Sequence, residues 1–269
     1  MILQDYHIHT TFCDGASSPE CMVQSAMEKG LQALGFSAHM DPEVSLDYPA
    51  YRQEILRLRE RYAGQLDIFL GVELDQMYQG TVPQDLDYVI GSTHYLDVPC
   101  DQSTAVDDSL EKLRYMCETC FHGDGYAMCR AYYALEAEVY ARTGCTFVGH
   151  FDLISRFNEQ WHFVDEEDER YLGPARESMK CLAEEGVPFE INCGALNRGR
   201  KTELYPRMSL LRALHDMGGR IFLSSDAHDS AHIAAGFDVA RERARACGFR
   251  EYATLKKCGG KTVVCSAAL

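Results

Sequence analysis

The chain has 269 residues, of which 46% are hydrophobic and 25% are charged, a composition that excludes disordered and collagen-like proteins. Its 26 basic and 41 acidic residues give a formal net charge of −15. Because this charge repels nucleic-acid phosphates and anionic membranes, we expect neither as a partner. No apolar run approaches the roughly 20 residues that span a bilayer, and no signal-peptide pattern begins the chain. Twelve scattered cysteines then indicate a reducing, cytoplasmic environment.

Short β-like runs alternate with amphipathic stretches, and no repeat or linker divides the chain. This alternation predicts parallel strands joined by helices, in one α/β domain over residues 1–269. In chain order, the predicted strands are 2–7, 31–36, 67–72, 88–91, 146–148, 188–191 and 220–223, with a weaker run at 262–265. The predicted helices are 19–29, 48–62, 126–142, 174–185, 209–217 and 231–246.

The segment 97–125 has no clean strand pattern and is rich in acidic residues. Since it follows the fourth predicted strand, we interpret it as a partly helical insertion in the domain. An insertion at this position is expected to form a lid or a wall of the substrate site.

Histidines and carboxylates follow almost every predicted strand. A single histidine in such a place is more often structural than a ligand. In His7-Ile8-His9, however, two imidazoles share one face of a strand and can reach the same ion. Because the carboxyl ends of barrel strands converge on one site, we expect all these side chains to meet. The nine candidate metal ligands are His7, His9, Asp14, His39, Glu73, His94, His150, Asp226 and His228.

Nine nitrogen and oxygen ligands exceed what one zinc ion takes, which is usually about four including water. They suit two or three divalent ions, with a carboxylate bridging a pair. Imidazole combined with carboxylate is compatible with zinc, manganese or iron.

In this order, the motifs resemble the PHP (polymerase and histidinol phosphatase) superfamily, a family of metal-dependent phosphoesterases. The resemblance implies a distorted (β/α)7 TIM-like barrel with a metal cluster at the carboxyl ends of the strands. Residues 149–154 and 190–195 are most similar to the histidinol-phosphate phosphatases within it, although Cys193 replaces an expected threonine. The residues that carry the resemblance are His7-Ile8-His9, Asp14, His39, Glu73, Gly91-Ser92-Thr93-His94, Gly149-His150 and Ser225-Asp226-Ala227-His228.

The resemblance implies three metal ions and hydrolysis of L-histidinol phosphate, a small-molecule substrate, to L-histidinol and phosphate in histidine biosynthesis. Clustered ions lower the pKa of bound water, which supplies a nucleophile near neutral pH. The implied ligand sets are His7, His9, Glu73 and Asp226 for the first ion, Glu73, His94 and His150 for the second, and Asp14, His39 and His228 for the third.

Two arginines and one carboxylate are candidates for catalytic roles. Arg156 follows the fifth predicted strand and Arg198 follows the sixth, and a guanidinium matches a phosphate in a bidentate fork. We interpret both as phosphate clamps. The leaving alkoxide needs a proton, which either Asp14 or a metal-bound water supplies.

Three other functions remain open on the sequence alone. One is a phosphoesterase of the same type acting on a nucleotide or sugar phosphate. Another is an amidohydrolase-like C–N hydrolase, which also uses His-x-His and a late aspartate but does not require Asp14, His39 and Glu73. The third is a non-catalytic metal-binding module.

Overall fold

The computed structural model describes residues 3–269, so Ile2 of the first predicted strand lies outside the described residues. Seven parallel strands form one sheet whose spatial order follows the chain, with helices in most of the connections. This arrangement confirms the predicted α/β barrel. The strands are β1 (Gln4–Asp5), β2 (Ala33–Met40), β3 (Asp67–Asp75), β4 (Tyr88–Ser92), β5 (Phe147–Val148), β6 (Phe189–Asn192) and β7 (Ile221–Ser224).

The first and last strands of the barrel meet at their carboxyl ends. Ile8 and Ala227 form a parallel bridge, in which the His9 N–H donates to Ala227 C=O (2.9 Å) and the Ala227 N–H donates to His7 C=O (3.2 Å). The side chains of Ile8 and Ala227 are buried in the layer between strands and helices. Because side chains alternate along an extended chain, the residues on either side of each point into the barrel.

The helices surround the barrel and bury their apolar faces against it. Apolar side chains of the strands and the helices form two large clusters, which make up most of the core. The helices are α1 (Pro19–Glu28), α2 (Tyr48–Arg61), α3 (Leu110–Phe121), α4 (Gly125–Glu136), α5 (Val139–Thr143), α6 (Asn158–Trp161), α7 (Glu169–Glu184), α8 (Gly194–Asn197), α9 (Met208–Asp216) and α10 (Phe237–Ala246).

Three helix predictions were wrong in their bounds. Helix α7 begins at Glu169 because Asp168 caps it, accepting the Arg170 N–H at 2.8 Å, so Pro174 lies inside the helix rather than at its start. The prediction over 231–246 fails in its first third, since Gly236 has a φ of 79° and α10 begins only after it. The prediction over 126–142 covers α4 and α5, which are separated by a short break.

The chain ends in an antiparallel hairpin of strands β8 (Glu251–Cys258) and β9 (Lys261–Ala268). The sequence predicted only a short part of β9 and missed β8. Leu255 packs with Tyr6, Phe69 and Phe222 of the barrel interior, and the Tyr6 hydroxyl lies 3.0 Å from the Thr254 hydroxyl. The hairpin therefore covers the amino-terminal end of the barrel and leaves the carboxyl end open.

The segment 97–125 contains helix α3, as the prediction of a partly helical insertion requires. Ser109 caps α3 by accepting the Lys112 N–H at 3.2 Å. Within residues 3–269, no helix combines the length and the apolar character needed to cross a membrane.

Candidate metal centre

The predicted site residues come together around a cavity of about 270 Å³ at the carboxyl end of the barrel. Ten of the eleven line it, and His7 lies beneath it with its side chain completely buried. The strands bring them together because the carboxyl ends of parallel barrel strands share one end of the molecule. The ten are His9, Asp14, His39, Glu73, His94, His150, Arg156, Arg198, Asp226 and His228.

The carboxylate of Glu73, near the end of β3, lies at the centre of the cluster and is 1% exposed. Its two oxygens face five imidazoles from four segments of the chain, which is the arrangement expected of a carboxylate that bridges metal ions. The distances are 3.2 Å to His7 Nε2, 3.3 Å to His9 Nε2, 3.1 Å to His39 Nδ1, 2.6 Å to His150 Nε2 and 3.3 Å to His94 Nε2.

The donor atoms fit divalent cations. His7 Nε2, His9 Nε2 and His39 Nδ1 are buried and have no hydrogen-bond partner within residues 3–269, although buried polar atoms are normally paired. Each lies 3.1–3.3 Å from the Glu73 carboxylate without forming a hydrogen bond to it. Imidazole nitrogen with carboxylate oxygen is the donor set of zinc, manganese and iron sites. The cluster therefore has the composition and the unpaired donors of a divalent-metal centre.

The ligand sets implied by the resemblance are only partly reproduced. Of the first set, His7, His9 and Asp226 form a group without Glu73, and His94 and His150 of the second set fall into different groups around Glu73. The third set gains His9, whose ring stacks on that of His228 at a centroid distance of 4.2 Å. The groups whose donor atoms lie within 4.8 Å of one another are His9, Asp14, His39 and His228; His7, His9 and Asp226; His7, Glu73 and His150; and His39, Glu73 and His94.

Two buried carboxylates behind the cluster orient its histidines, and the sequence analysis missed both. Glu190 Oε1 lies 2.6 Å from His7 Nδ1, and its Oε2 accepts the His150 N–H at 2.7 Å. Asp75 Oδ2 accepts the His94 N–H at 2.7 Å and lies 3.3 Å from His94 Nδ1. Such partners fix the ring orientation of metal-binding histidines. Asp75 follows Glu73 by two residues, the same alternation that identified His7 and His9.

Asp226 and Arg198 are held together at the rim of the cluster. Asp226 adopts a left-handed backbone conformation (φ 50°), a conformation that is uncommon outside glycine and recurs at functional sites. Arg198 donates to the Asp226 carbonyl at 2.8 Å and to its Oδ2 at 3.1 Å, and its Nη1 also lies 2.9 Å from His228 Nδ1. Arg198 thus orients two candidate ligands while its guanidinium lines the cavity.

Arg156 and Arg200 place further positive charge in the lining of the cavity. Arg156 pairs with Asp107, a residue of the 97–125 insertion, at 3.3 Å. The charges of Arg156 and Arg198, together with burial, lower the pKa of Arg200. The sequence analysis missed Arg200, although it follows Arg198 by only two residues.

The electrostatics keep the central carboxylates ionised. Burial raises the pKa of Glu73, but the charges of His7, His39 and His94 outweigh this effect and hold the pKa well below its usual range. Burial likewise raises the pKa of Asp226, and the Arg198 guanidinium and the neighbouring imidazoles reverse the shift. Ionised carboxylates are the form that binds cations.

Residues 5–194 match the family described as the PHP domain. The chain belongs to the PHP domain family. Among curated PHP-type relatives, it is 31% identical to the probable histidinol-phosphatase of Deinococcus radiodurans, covering 92% of this chain and 95% of that protein. It is 26% identical to the probable histidinol-phosphatase of Schizosaccharomyces pombe, covering 93% and 89%.

Solved structures share the PHP fold of this chain. The histidinol phosphate phosphatase of Lactococcus lactis, crystallised with zinc, L-histidinol and phosphate, superposes with a TM-score of 0.70 at 24% identity, covering 97% of this chain and 98% of the other. The putative histidinol phosphatase of Listeria monocytogenes superposes with a TM-score of 0.74 at 19% identity, covering 88% and 99%. Both similarities confirm the distorted (β/α)7 barrel.

Proposed function

We propose that this chain is a metal-dependent phosphomonoesterase that hydrolyses L-histidinol phosphate to L-histidinol and phosphate. The observation that carries the proposal is the position of Glu73, which faces five histidines in a cavity that three arginines also line. Relatives that cover most of this chain are named histidinol-phosphatases, and the Lactococcus lactis structure contains L-histidinol and phosphate.

The nine predicted ligands are proposed to hold two or three divalent ions, which are zinc, manganese or iron. Ions bound there lower the pKa of water and offset negative charge on a phosphate group. Zinc is present in the Lactococcus lactis structure. Of the chain's own residues, Glu73 bridges the ions, while Glu190 and Asp75 hold the rings of His7 and His94 in the orientation that directs Nε2 at the cluster.

Arg156 and Arg198 are proposed to bind the non-bridging oxygens of the phosphate, as the sequence analysis expected, and Arg200 joins them. A guanidinium binds phosphate through two parallel hydrogen bonds and stays charged at all physiological pH values. The side chains of Arg156 and Arg198 are only 11% and 17% exposed, so solvent screens them weakly. Both therefore stabilise negative charge that develops on the phosphate during hydrolysis.

Asp14 is proposed to act as a metal ligand and not as the acid that protonates the leaving group. Burial raises its pKa, but the hydrogen bond from His228 and the charges of His9 and His39 bring the pKa well below the usual range. A carboxyl group with such a pKa carries no proton near neutral pH. Of the two proton donors considered from the sequence, this favours water over Asp14.

The character of the cavity favours an amino-alcohol phosphate over a nucleotide. The insertion contributes the carboxylate of Asp107, which attracts a cationic substrate. Apart from the histidines, Tyr205 is the aromatic residue in the lining, and its ring is 2% exposed, so it offers little surface on which a base stacks. An acidic group beside the phosphate clamp is the pattern that an ammonium-bearing substrate requires.

The test is phosphate release by the purified, metal-loaded chain from L-histidinol phosphate, AMP, glucose 6-phosphate and an aryl phosphate. We expect kcat/KM to be highest for L-histidinol phosphate and to be lost in His9→Ala, while the exposed-site control Arg130→Lys keeps wild-type rates. Equal rates with AMP would assign another phosphoesterase activity. Absence of release from every ester, with metal bound, would overturn the proposal.

We also propose that residues 1–269 act as one domain in the cytoplasm. The hairpin of β8 and β9 is joined to the barrel interior through Leu255 and Thr254, which argues against an independent unit. All twelve cysteines are free thiols, as expected in a reducing compartment.

A further inference from the structure

A buried lysine, Lys201, lies next in the chain to Arg200, one of the three arginines that line the cavity. Lys201 is 5% exposed, and its Nζ donates a hydrogen bond of 2.6 Å to Ser155 Oγ. The ammonium also lies 5.0 Å from the centre of the Tyr205 ring. A buried ammonium carries a large desolvation cost unless nearby groups compensate its charge.

The compensating charge is Asp152, which is completely buried and has a left-handed backbone conformation (φ 91°). Its carboxylate accepts hydrogen bonds from the hydroxyls of Tyr133 (2.6 Å) and Tyr171. Burial raises the pKa of Asp152, and the charge of Lys201 counteracts that rise. Ser155 connects the two, because its hydroxyl accepts from Lys201 and donates to the Asp152 carbonyl at 2.8 Å.

This chain of contacts joins the two loops that carry the arginines. Ser155 immediately precedes Arg156 in the loop after β5. Lys201 immediately follows Arg200 and comes three residues after Arg198 in the loop after β6. The buried hydrogen bond between Lys201 and Ser155 therefore links the segment of one clamp to the segment of the others, and at the surface Thr202 donates to Glu159 between the same two segments.

We propose that Lys201 is a positioning residue that, through Ser155 and Asp152, fixes the separation of the guanidinium groups of Arg156, Arg198 and Arg200. The inference rests on the proposed function in that it assigns these arginines to phosphate binding. Lys201 itself does not line the cavity. Its role is to keep three like charges, which repel one another, at the spacing that a phosphate group bridges.

Removing the buried link loosens the two loops beside the arginines, which repel one another, even though the surface contact of Thr202 with Glu159 remains. Misplacing a positioning contact by about 1 Å costs up to about 100-fold in rate. We expect Lys201→Met and Ser155→Ala each to weaken binding of inorganic phosphate and to raise KM by about tenfold. The double variant should be no worse than Lys201→Met, since both substitutions remove the same contact.

The experiment measures the Kd of inorganic phosphate by calorimetry and KM and kcat with L-histidinol phosphate, all on the metal-loaded full chain. Tyr132→Phe is the matched control: it removes a buried hydrogen bond to Glu136 within helix α4 without touching Asp152, Ser155 or Lys201. It should lower Tm and leave phosphate affinity within about twofold.

A drop in Tm in Lys201→Met and Ser155→Ala with unchanged phosphate affinity would show a purely structural role and overturn the inference. If Lys201→Met does not fold, Ser155→Ala decides by the same criterion. Phosphate binding also separates this inference from the proposed function. If the wild-type chain binds phosphate but does not hydrolyse L-histidinol phosphate, the proposed substrate is refuted, and the phosphate affinities of the variants still test the role of Lys201. If the wild-type chain binds no phosphate, both the proposed function and the inference about Lys201 are overturned.

Discussion

Glu190 Oε1 and His7 Nδ1 lie 2.6 Å apart at a point where both side chains are completely buried. The short contact keeps a proton on Nδ1, which donates to the carboxylate, and directs Nε2 at Glu73 and Asp226. Carboxylate–histidine pairs of this kind fix the tautomer and raise the basicity of a metal-binding imidazole. Glu190 also accepts a hydrogen bond from the backbone N–H of His150, so one carboxylate holds the chain segments that follow β1 and β5.

Glu190→Gln is therefore expected to weaken metal binding by about 10- to 100-fold while the chain remains folded. Glutamine keeps the shape of the side chain but removes the charge that favours the Nδ1–H tautomer. Metal content after dialysis against a graded chelator series measures the effect. Glu136→Gln is the matched control, because Glu136 is also a completely buried glutamate that contacts Thr93 and Tyr132 and no candidate ligand. Equal metal loss in both variants would contradict the role of Glu190.

Arg198→Lys and Arg156→Lys test the phosphate clamp. Lysine keeps the charge but presents no planar fork, so we expect kcat/KM to fall by about 100-fold in each. Arg198→Lys should additionally reduce metal content, since Arg198 orients Asp226 and His228.

Steady-state kinetics with L-histidinol phosphate and metal analysis check these two expectations separately. Arg130→Lys, at an exposed position on α4, is the control and should change neither quantity. Wild-type kcat/KM in both active-site variants would remove the arginines from the mechanism.

Most of the barrel was predictable because local sequence carries the signal. Six of the seven strands contain a short apolar run, and β1 (Gln4–Asp5) follows one in the sequence. Ligands follow or end these runs, as His39 does in β2 and Glu73 in β3. The bridge between Ile8 and Ala227 explains why the His-x-His and Asp-x-His spacings predicted ligands. The residues on either side of Ile8 and of Ala227 point into the barrel where its first and last strands meet.

The failures have physical causes that a local pattern does not contain. Strand β8 was missed because its charged residues, such as Lys256 and Lys257, mask the apolar positions that pack under the barrel. Asp168 competes with Pro174 as a helix start, and the hydrogen bond that decides between them is seen only in the structure. Glu190 lies in the segment 190–195 that carries the family resemblance, but its role depends on a contact with His7, 183 residues away in the chain.

Glu136 should give the protein a stability that falls as pH rises. Burial raises its pKa from 4.5 to about 8, and hydrogen bonds from Tyr132 and Thr93 offset this only in part. Between pH 4.5 and about 8, the folded state thus binds a proton that the unfolded state has released. Its contribution to the free energy of unfolding is therefore greatest at low pH and decreases through this window, by at most about 1.4 kcal/mol per pH unit.

Glu136→Gln removes this titration. We expect the variant to gain stability relative to wild type by about 3 kcal/mol between pH 5.5 and pH 8.5, measured by urea unfolding of the metal-loaded chain. Glu185→Gln, at an exposed glutamate after α7, should track wild type at every pH. A constant difference between Glu136→Gln and wild type across the range would mean that Glu136 is ionised in the folded state.

Asp14→Asn distinguishes a metal ligand from a general acid. If Asp14 protonated the leaving group, its loss would slow an alkyl ester such as L-histidinol phosphate and spare an aryl phosphate, whose leaving group departs without a proton. A ligand role predicts equal losses for both esters, because the metal cluster acts on the phosphate in each. The low pKa of Asp14 and its 3.0 Å contact with His228 Nε2 favour the second outcome.

The measurement is kcat/KM for the two esters in Asp14→Asn, with metal content determined on the same samples. We expect both rates to fall by a common factor of about 100 or more and the bound metal to decrease. His228→Asn is the matched variant on the other side of the same contact and should show the same uniform loss. A selective loss with L-histidinol phosphate at full metal content would instead identify Asp14 as the proton donor, held in a protonated state that only the substrate complex creates.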